Sequence, residues 1–167
     1  MGIKLSVLPH QTECIDRISK VFEDVKINVT DYIFANPIFD AMESKLQSNM
    51  KEIQANFDGK EITRDIRTSV DDNFGIDVRM ETGTGKTYCY TRLMYELNRR
   101  FGFHKFIILV PTTPIKEGTK AFIESDYAKS HFADLYPDKR ISLSILNAQK
   151  NKKGRKMFPQ AISDFAR

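Results

Sequence analysis

The first third of the chain carries hydrophobic residues at three- and four-residue spacing, which is typical of amphipathic helices. The spacing predicts one helix over Glu13 to Val25 and a second over Pro37 to Phe57, with the proline in its first turn. The apolar positions are Ile15, Ile18, Phe22 and Val25, then Phe39, Met42, Leu46, Met50 and Ile53. Asp58 to Gly75 is polar, which predicts a connector or an exposed excursion.

Short strands and helices alternate from Ile76 onward. Ile76 to Met80 is a strand candidate, and a glycine turn separates it from a predicted helix over Lys86 to Arg100. Phe106 to Val110 is a continuous apolar run, as in strands that are buried on both faces of a parallel sheet. A helix over Ile115 to Ile123 and a short helical piece over Ser130 to Leu135 are predicted next.

The last segments complete the alternation. Ile141, Leu143 and Ile145 alternate with serines, which predicts a strand with one less buried face, and Phe158 to Arg167 resembles the start of a helix. Strand, helix and strand in this order predict a three-layer α/β fold with a parallel sheet and right-handed crossovers. Residues 1–75 are expected to form an N-terminal helical region with its connector, and residues 76–167 an incomplete α/β domain.

The composition is that of a soluble globular chain, with 41% hydrophobic and 29% charged residues among 167. The longest purely apolar run, Phe106 to Val110, is far shorter than the roughly 20 residues that span a bilayer. No membrane association is therefore expected. Cys14 and Cys89 show neither zinc spacing nor a disulfide framework, which favours a reducing interior and predicts a cytoplasmic location.

The positive charge is concentrated in one short segment. Five cations and no acids lie between Lys150 and Lys156, and removing them from the net charge of +4 leaves −1 for the rest of the chain. Such a run contacts phosphate in some proteins and is a solvated loop in others. Both interpretations remain open on the sequence.

The stretch with the clearest chemistry is Met80 to Thr87, which reads Met-Glu-Thr-Gly-Thr-Gly-Lys-Thr. Gly83 and Gly85 lack a Cβ, so the backbone there can bend tightly and bring its N–H groups up to phosphate oxygens. The positive end of the following helix points to the same place. Lys86 can reach the β and γ phosphates, and the Thr87 hydroxyl can bind magnesium. The pattern favours a triphosphate bound with a divalent cation.

This stretch departs from the strict phosphate-loop template at one position, because Met80 stands where the first glycine belongs. The alternative is a chance glycine turn before a helix. With the first glycine absent, the stretch resembles motif I of superfamily 2 helicases and translocases. Its longer form, through Tyr88, is similar to that of the Res subunit of type III restriction endonucleases.

Two further segments carry the same resemblance. Leu8-Pro9-His10-Gln11 resembles the glutamine motif that lies upstream in that family. Phe106 to Pro111, running on to Ile115-Lys116-Glu117-Gly118, resembles its motif Ia. The three segments follow one another in the family's order between residues 8 and 118, which is more specific than a lone phosphate loop.

The resemblance implies a RecA-like phosphate-loop fold and a role for each matching residue. Gln11 would bind the adenine edge of ATP, because a side-chain amide offers a purine both a donor and an acceptor. The residues expected to hold the phosphates are Gly83, Thr84, Gly85, Lys86 and Thr87, with Lys86 also catalytic and Thr87 on Mg²⁺. Pro111, Thr112 and Thr113 would contact the DNA backbone. The alternatives are a surface glutamine for Gln11 and a helix cap for the two threonines.

The resemblance also implies a larger parent. An acidic motif II, a second RecA-like domain and a nuclease domain do not fit in 167 residues, so the chain is expected to be an N-terminal piece that is inactive alone. The parent would couple ATP hydrolysis to movement along double-stranded DNA and cleave it, together with a methyltransferase (Mod) subunit. The alternatives are another superfamily 2 member, such as a type I restriction motor or a repair helicase, and a stand-alone nucleotide-binding module.

Overall fold

The computed structural model of the protein describes residues 4–28, 35–40, 42–55, 75–146 and 165. The chain divides into two compact units. The described residues of the first, the amino-side unit, are 5–28, 36–40, 42–55 and 75–103. Those of the second, the carboxyl-side unit, are 104–146 with 4, 35 and 165.

The described part of the amino-side unit combines helices with one small antiparallel ladder. Its elements are α1 (Pro9–Val21), β1 (Ile27–Asn28), β2 (Ile38–Phe39), α2 (Ser44–Ala55) and α3 (Lys86–Phe101). In the ladder, Ile27 lies opposite Phe39 and Asn28 opposite Ile38. Helix α1 packs against both α2 and α3, so it occupies the centre of this unit.

Helix α1 begins at a proline without a side-chain cap and is bound at its C-terminal end by a side chain of α2. Leu8 takes the N-cap position in an extended conformation, and Pro9 follows where a missing N–H costs nothing. At the other end, the buried Asn49 of α2 donates to the carbonyl oxygens of Val21 at 3.2 Å and Glu23 at 2.7 Å. These two bonds occupy carbonyls that the helix leaves open, and they join α1 to α2.

Four phenylalanine rings form a cluster in the amino-side unit. The Phe22 ring lies 5.3 Å from that of Phe39, 5.6 Å from Phe101 and 5.7 Å from Phe103, measured between centroids. The contact with Phe39 is edge to face, a geometry that aromatic pairs favour. The cluster therefore holds together the end of α1, β2 and the end of α3.

Helix α3 ends at a left-handed glycine, and an ion pair joins it to α1. Gly102 has a φ of 76° and donates its N–H to the Asn98 carbonyl at 3.0 Å. The buried Glu96 carboxylate accepts from Arg100 at 2.9 Å, and Arg100 also donates to Asp16 of α1 at 2.8 Å. Because Arg100 bridges the two carboxylates, the C-terminal part of α3 is fixed against α1.

The described part of the carboxyl-side unit is formed around two consecutive helices, α4 (Thr113–Glu124) and α5 (Asp126–Leu135). Ser125 lies between them, and its hydroxyl accepts from the Ala128 N–H at 3.3 Å as the N-cap of α5. The buried apolar residues of the pair and its flank are Ile123, Ala128, Phe132 and Tyr136. No helix in the part of the chain that the structure describes is long and apolar enough to cross a membrane.

Within the described residues the predicted helices form, but several of their bounds differ. The helix predicted over Glu13 to Val25 forms as α1, which begins and ends four residues earlier, at Pro9–Val21. The helices predicted over Lys86 to Arg100, Ile115 to Ile123 and Ser130 to Leu135 correspond to α3, α4 and the end of α5. The helix predicted from Pro37 begins only at Ser44. Its first apolar positions instead form β2, because the Phe39 ring packs against Phe22 across the unit. This tertiary contact outweighs the helical spacing.

The predicted strands do not form in the described residues, so the parallel sheet is not confirmed. Residues 76–80, 106–110 and 141–145 take no part in a strand ladder. Phe106 to Val110 was expected to be buried on both faces, yet Ile107 and Leu109 are 70% and 89% exposed. A strand exists only when its N–H and C=O groups have a neighbouring strand, and an apolar run supplies no such neighbour by itself.

Three predicted segments lie outside the described residues. They are the polar stretch Asp58 to Gly75 apart from Gly75, the cationic run Lys150 to Lys156, and the helix start at Phe158 to Arg167 apart from Phe165. Their sequence interpretations stay predictions.

Candidate nucleotide-binding site

The glycine loop bends where the sequence predicts a tight turn. Gly83 and Gly85 have φ angles of 85° and 86°, in the left-handed region that side chains with a Cβ rarely enter. The Thr84 hydroxyl donates to the Glu81 carbonyl at 2.7 Å and closes the turn. Gly85 is also the N-cap of α3, so the loop leads directly into the positive end of that helix.

Lys86 is held over the loop by two carbonyl groups. Its ammonium donates to the Met80 oxygen at 2.8 Å and to the Glu81 oxygen at 2.6 Å, and the side chain is exposed. An ammonium has three donors, so one N–H of Lys86 remains for a further acceptor. The arrangement places a positive charge at the mouth of the glycine turn.

Thr87 lies one position further along α3 and is half-buried. Its carbonyl accepts from the hydroxyl of the buried Thr91 at 2.7 Å. Within the described residues no group of three or more His, Cys, Asp or Glu side chains could hold a metal ion. A hydroxyl can supply one ligand to Mg²⁺, which keeps much of its water shell and takes the rest of its ligands from substrate phosphates.

The contact between Gln11 and the loop joins two predicted motifs across 73 residues of sequence. The Gln11 amide donates to the Thr84 carbonyl at 3.1 Å, and Gln11 is 4% exposed. The His10 ring contacts the same oxygen at 3.1 Å, and because a carbonyl only accepts, that nitrogen carries its proton. A Cβ built on Gly85 would collide with the Gln11 amide nitrogen, so a larger residue here would displace the end of the Gln11 side chain.

The other half of the Gln11 amide has no partner in the described structure. Its oxygen is buried and accepts no hydrogen bond. A buried unsatisfied polar atom costs about 1–3 kcal/mol, so a ligand donor at this point would recover that energy. The amide also keeps a second N–H. A donor and an acceptor side by side match the N7 and N6 edge of adenine, so this feature fits a bound adenine nucleotide.

A side-chain hydrogen bond also joins the two helices that carry these motifs. Arg92 of α3 donates to the Thr12 hydroxyl of α1 at 2.9 Å. Burial raises the pKa of the Tyr88 hydroxyl, and the nearby Arg92 charge opposes that shift. Sequence reasoning missed His10, Thr12 and Arg92 as parts of this region. For His10 the only available signal was its place next to Gln11.

The motif Ia residues belong to the carboxyl-side unit. Pro111, Thr112 and Thr113 are all exposed. Thr112 is the N-cap of α4 by backbone conformation, with a φ of −136°, but its hydroxyl makes no capping hydrogen bond. Thr112 therefore forms no side-chain cap, and both threonines are exposed at the N-terminus of α4.

A left-handed glycine turn, a lysine beside it and a helix that begins at the turn are typical of the phosphate-binding loops of nucleotide-binding proteins. Sequence comparison identifies the family. The family described as "Type III restriction enzyme, res subunit" matches residues 4–163. The chain therefore belongs to the Res subunit family of type III restriction enzymes. Membership implies a RecA-like phosphate-loop fold.

Individual relatives agree with this assignment. The chain is 40% identical to the StyLTI Res subunit of Salmonella typhimurium over 99% of its own length, and 40% identical to the EcoP15I Res subunit of Escherichia coli over 95%. It is 41% identical to the EcoPI Res subunit of Escherichia phage P1 over 95%. The chain spans only 14–16% of the length of these relatives.

Proposed function

We propose that the chain is the ATP-binding N-terminal part of the Res subunit of a type III restriction-modification enzyme. The whole protein would use ATP hydrolysis to move along DNA and would then cleave it. Family membership supports the class of enzyme. The single observation that carries the nucleotide assignment is the hydrogen bond from the Gln11 amide to the Thr84 carbonyl. It joins the glutamine motif to the phosphate loop.

Each residue of the loop would have a distinct part in binding ATP. The turn at Gly83 and Gly85 leaves backbone N–H groups room to approach phosphate oxygens, and α3 directs its positive end at them. The Lys86 ammonium would reach the β and γ phosphates as a positive charge, and the Thr87 hydroxyl would bind Mg²⁺. The bound nucleotide supplies a phosphoanhydride whose hydrolysis releases free energy.

Gln11 would select the base. Its free N–H and its unpartnered oxygen supply the donor and acceptor that adenine N7 and N6 require. Guanine presents an acceptor at O6 where adenine presents a donor, so its edge would leave the Gln11 oxygen unpaired. The proposed preference is therefore for ATP over GTP.

The test is a titration of a fluorescent ATP analogue, with magnesium, against the wild-type chain and Lys86→Ala. We expect at least about tenfold weaker binding in the variant, because it loses the cation nearest to the loop. Lys129→Ala is the matched control, since it removes an exposed lysine from α5. Equal affinity of Lys86→Ala and wild type would contradict the proposal.

Residues 111–113 would contact the sugar–phosphate backbone of double-stranded DNA. Support comes from the exposed threonine hydroxyls and from their position ahead of the α4 N-terminus, a favourable place for phosphate. In the complete Res subunit with its Mod subunit, Thr112→Ala and Thr113→Ala together should weaken DNA binding about equally on all sequences. A sequence-selective loss would contradict a backbone role.

The remaining features of the proposal follow from the family. Residues 1–75 would be a helical extension carrying the glutamine motif, and residues 76–167 the first part of RecA-like domain 1 with its parallel sheet. The methyltransferase (Mod) subunit would be the partner, and the enzyme would work in the cytoplasm. The chain alone would hydrolyse almost no ATP, because phosphoryl transfer requires groups on both sides of the nucleotide.

A further inference from the structure

The two cysteines of the chain lie together although 74 residues separate them in sequence. Cys14 is on α1 and Cys89 is on α3, and these two helices pack against each other, with Cys14 one turn beyond Gln11 on α1. The Cys89 thiol also lies 3.9 Å from the carbonyl oxygen of Gln11. They are the two cysteines of these 167 residues, so a disulfide within this stretch must join them.

The surroundings of the pair give the two sulfurs different reactivity. Cys14 is partly exposed, whereas Cys89 is buried. The hydrogen bond from Cys89 lowers the pKa of the Cys14 thiol to about 7, although burial acts in the opposite direction. A thiolate that solvent can reach is the reactive form of cysteine, so Cys14 is suited to attack and Cys89 to resolve.

We propose that Cys14 and Cys89 are a redox modification site that closes reversibly into an intrachain disulfide between α1 and α3. Cys14 lies one helical turn beyond Gln11, and Cys89 one turn beyond Gly85 and Lys86. The bond joins the helix of the glutamine motif covalently to the helix of the phosphate loop. This inference goes beyond nucleotide binding and does not depend on it.

The oxidant is a low-molecular-weight disulfide such as oxidised glutathione. The Cys14 thiolate attacks one glutathione sulfur, which forms a mixed disulfide and releases the first glutathione. The Cys89 thiol then loses its proton and attacks the Cys14 sulfur, which releases the second glutathione. One disulfide forms in the protein while one small disulfide is reduced to two thiols, with two electrons and two protons transferred.

The test is equilibration of the chain in glutathione buffers of graded redox ratio, followed by acid quenching and intact-mass measurement. We expect the folded chain to become a monomer that has lost two hydrogens and resists alkylation. The equilibrium constant for this disulfide should be at least about tenfold larger in buffer than in urea that unfolds the chain, because the fold holds the thiols together. A smaller ratio would overturn the proposal.

Single variants assign the order of events. Cys89→Ser should stop at a mixed disulfide on Cys14, whereas Cys14→Ser should leave the buried Cys89 slow to react with either glutathione or an alkylating agent. Faster modification of Cys89 than of Cys14, or disulfide-linked dimers in place of the oxidised monomer, would contradict the assignment. Should either variant fail to fold, as judged by circular dichroism, the wild-type comparison in buffer and urea still decides the proposal.

Discussion

The phosphate-loop segment and the motif Ia segment look equally well defined in the sequence but differ in how the fold supports them. The loop receives hydrogen bonds from Gln11 and His10 of α1 at Thr84, and the helix that follows it packs against α1. Residues 106–113, by contrast, lie outside any strand ladder and expose Ile107 and Leu109. A motif acquires a defined geometry when distant residues contact it, whatever the strength of its local pattern.

The largest difference in the free energy of unfolding is expected between a core residue of the amino-side unit and a residue of the motif Ia segment. Leu46 of α2 is completely buried and Leu109 is 89% exposed. Leu46→Ala should lower the free energy of unfolding by about 2–5 kcal/mol, because it leaves a cavity, and Leu109→Ala by less than about 0.5 kcal/mol. Urea denaturation of both variants provides the measurement. A comparable loss for Leu109→Ala would show that the 106–110 segment is buried, as the apolar run predicts.

The next largest effect should fall on the glycine loop. Gly85→Ala places a Cβ on a residue with a left-handed φ and against the Gln11 amide. At Gly83 the φ is also left-handed, but a Cβ would contact no other atom. We expect losses in the free energy of unfolding of about 2–3 kcal/mol for Gly85→Ala and about 1–2 kcal/mol for Gly83→Ala.

A double-mutant cycle tests the cause of that difference. In a Gln11→Ala background the extra cost of Gly85→Ala should disappear, because the side chain that it displaces is absent. If Gly85→Ala remains more destabilising than Gly83→Ala in that background, the contact with Gln11 does not explain the difference.

The N-cap residues of α4 and α5 in the carboxyl-side unit can be compared directly, and the expected effects on stability are smaller. Ser125 caps α5 with its hydroxyl, whereas Thr112 occupies the same position on α4 without a capping bond. Ser125→Ala should lower the free energy of unfolding by about 1 kcal/mol and Thr112→Ala by a few tenths at most. Thermal or urea unfolding followed by circular dichroism distinguishes them. A full cap effect at Thr112 would favour the structural role over DNA contact.

Substitution of Gln11 should change the free energy of unfolding least, yet it should change the nucleotide preference strongly. Gln11→Leu loses the hydrogen bond to Thr84 but also removes a buried oxygen that has no partner, so the free energy of unfolding should change by less than about 1 kcal/mol. Under the proposed function it should abolish any preference for ATP over GTP analogues. Gln47→Leu on α2 is the control, and a retained preference in Gln11→Leu would remove Gln11 from base selection.

Helix α3 and the glycine turn before it were predictable because their signals are local. The apolar periodicity of the helix and the turn at Gly83 and Gly85 each depend only on neighbouring residues. The structure has α3 at Lys86–Phe101, close to the predicted bounds. The start of α2 was not predictable in this way. Its apolar spacing continues back to Phe39, and only the aromatic contact with Phe22 from another part of the chain makes that residue a strand.

The candidate site also combines features that the local sequence predicts with features that depend on tertiary contacts. The residue types that suit nucleotide chemistry, the order of the three motifs and, through them, the Res family could be predicted in advance, because these depend on residue identity alone. The hydrogen bond from the Gln11 amide to Thr84, the burial of its unpartnered oxygen and the contact of Cys89 with α1 could not be predicted from the sequence. Those contacts arise from the packing of α1 on α3, a free-energy balance that no local pattern contains.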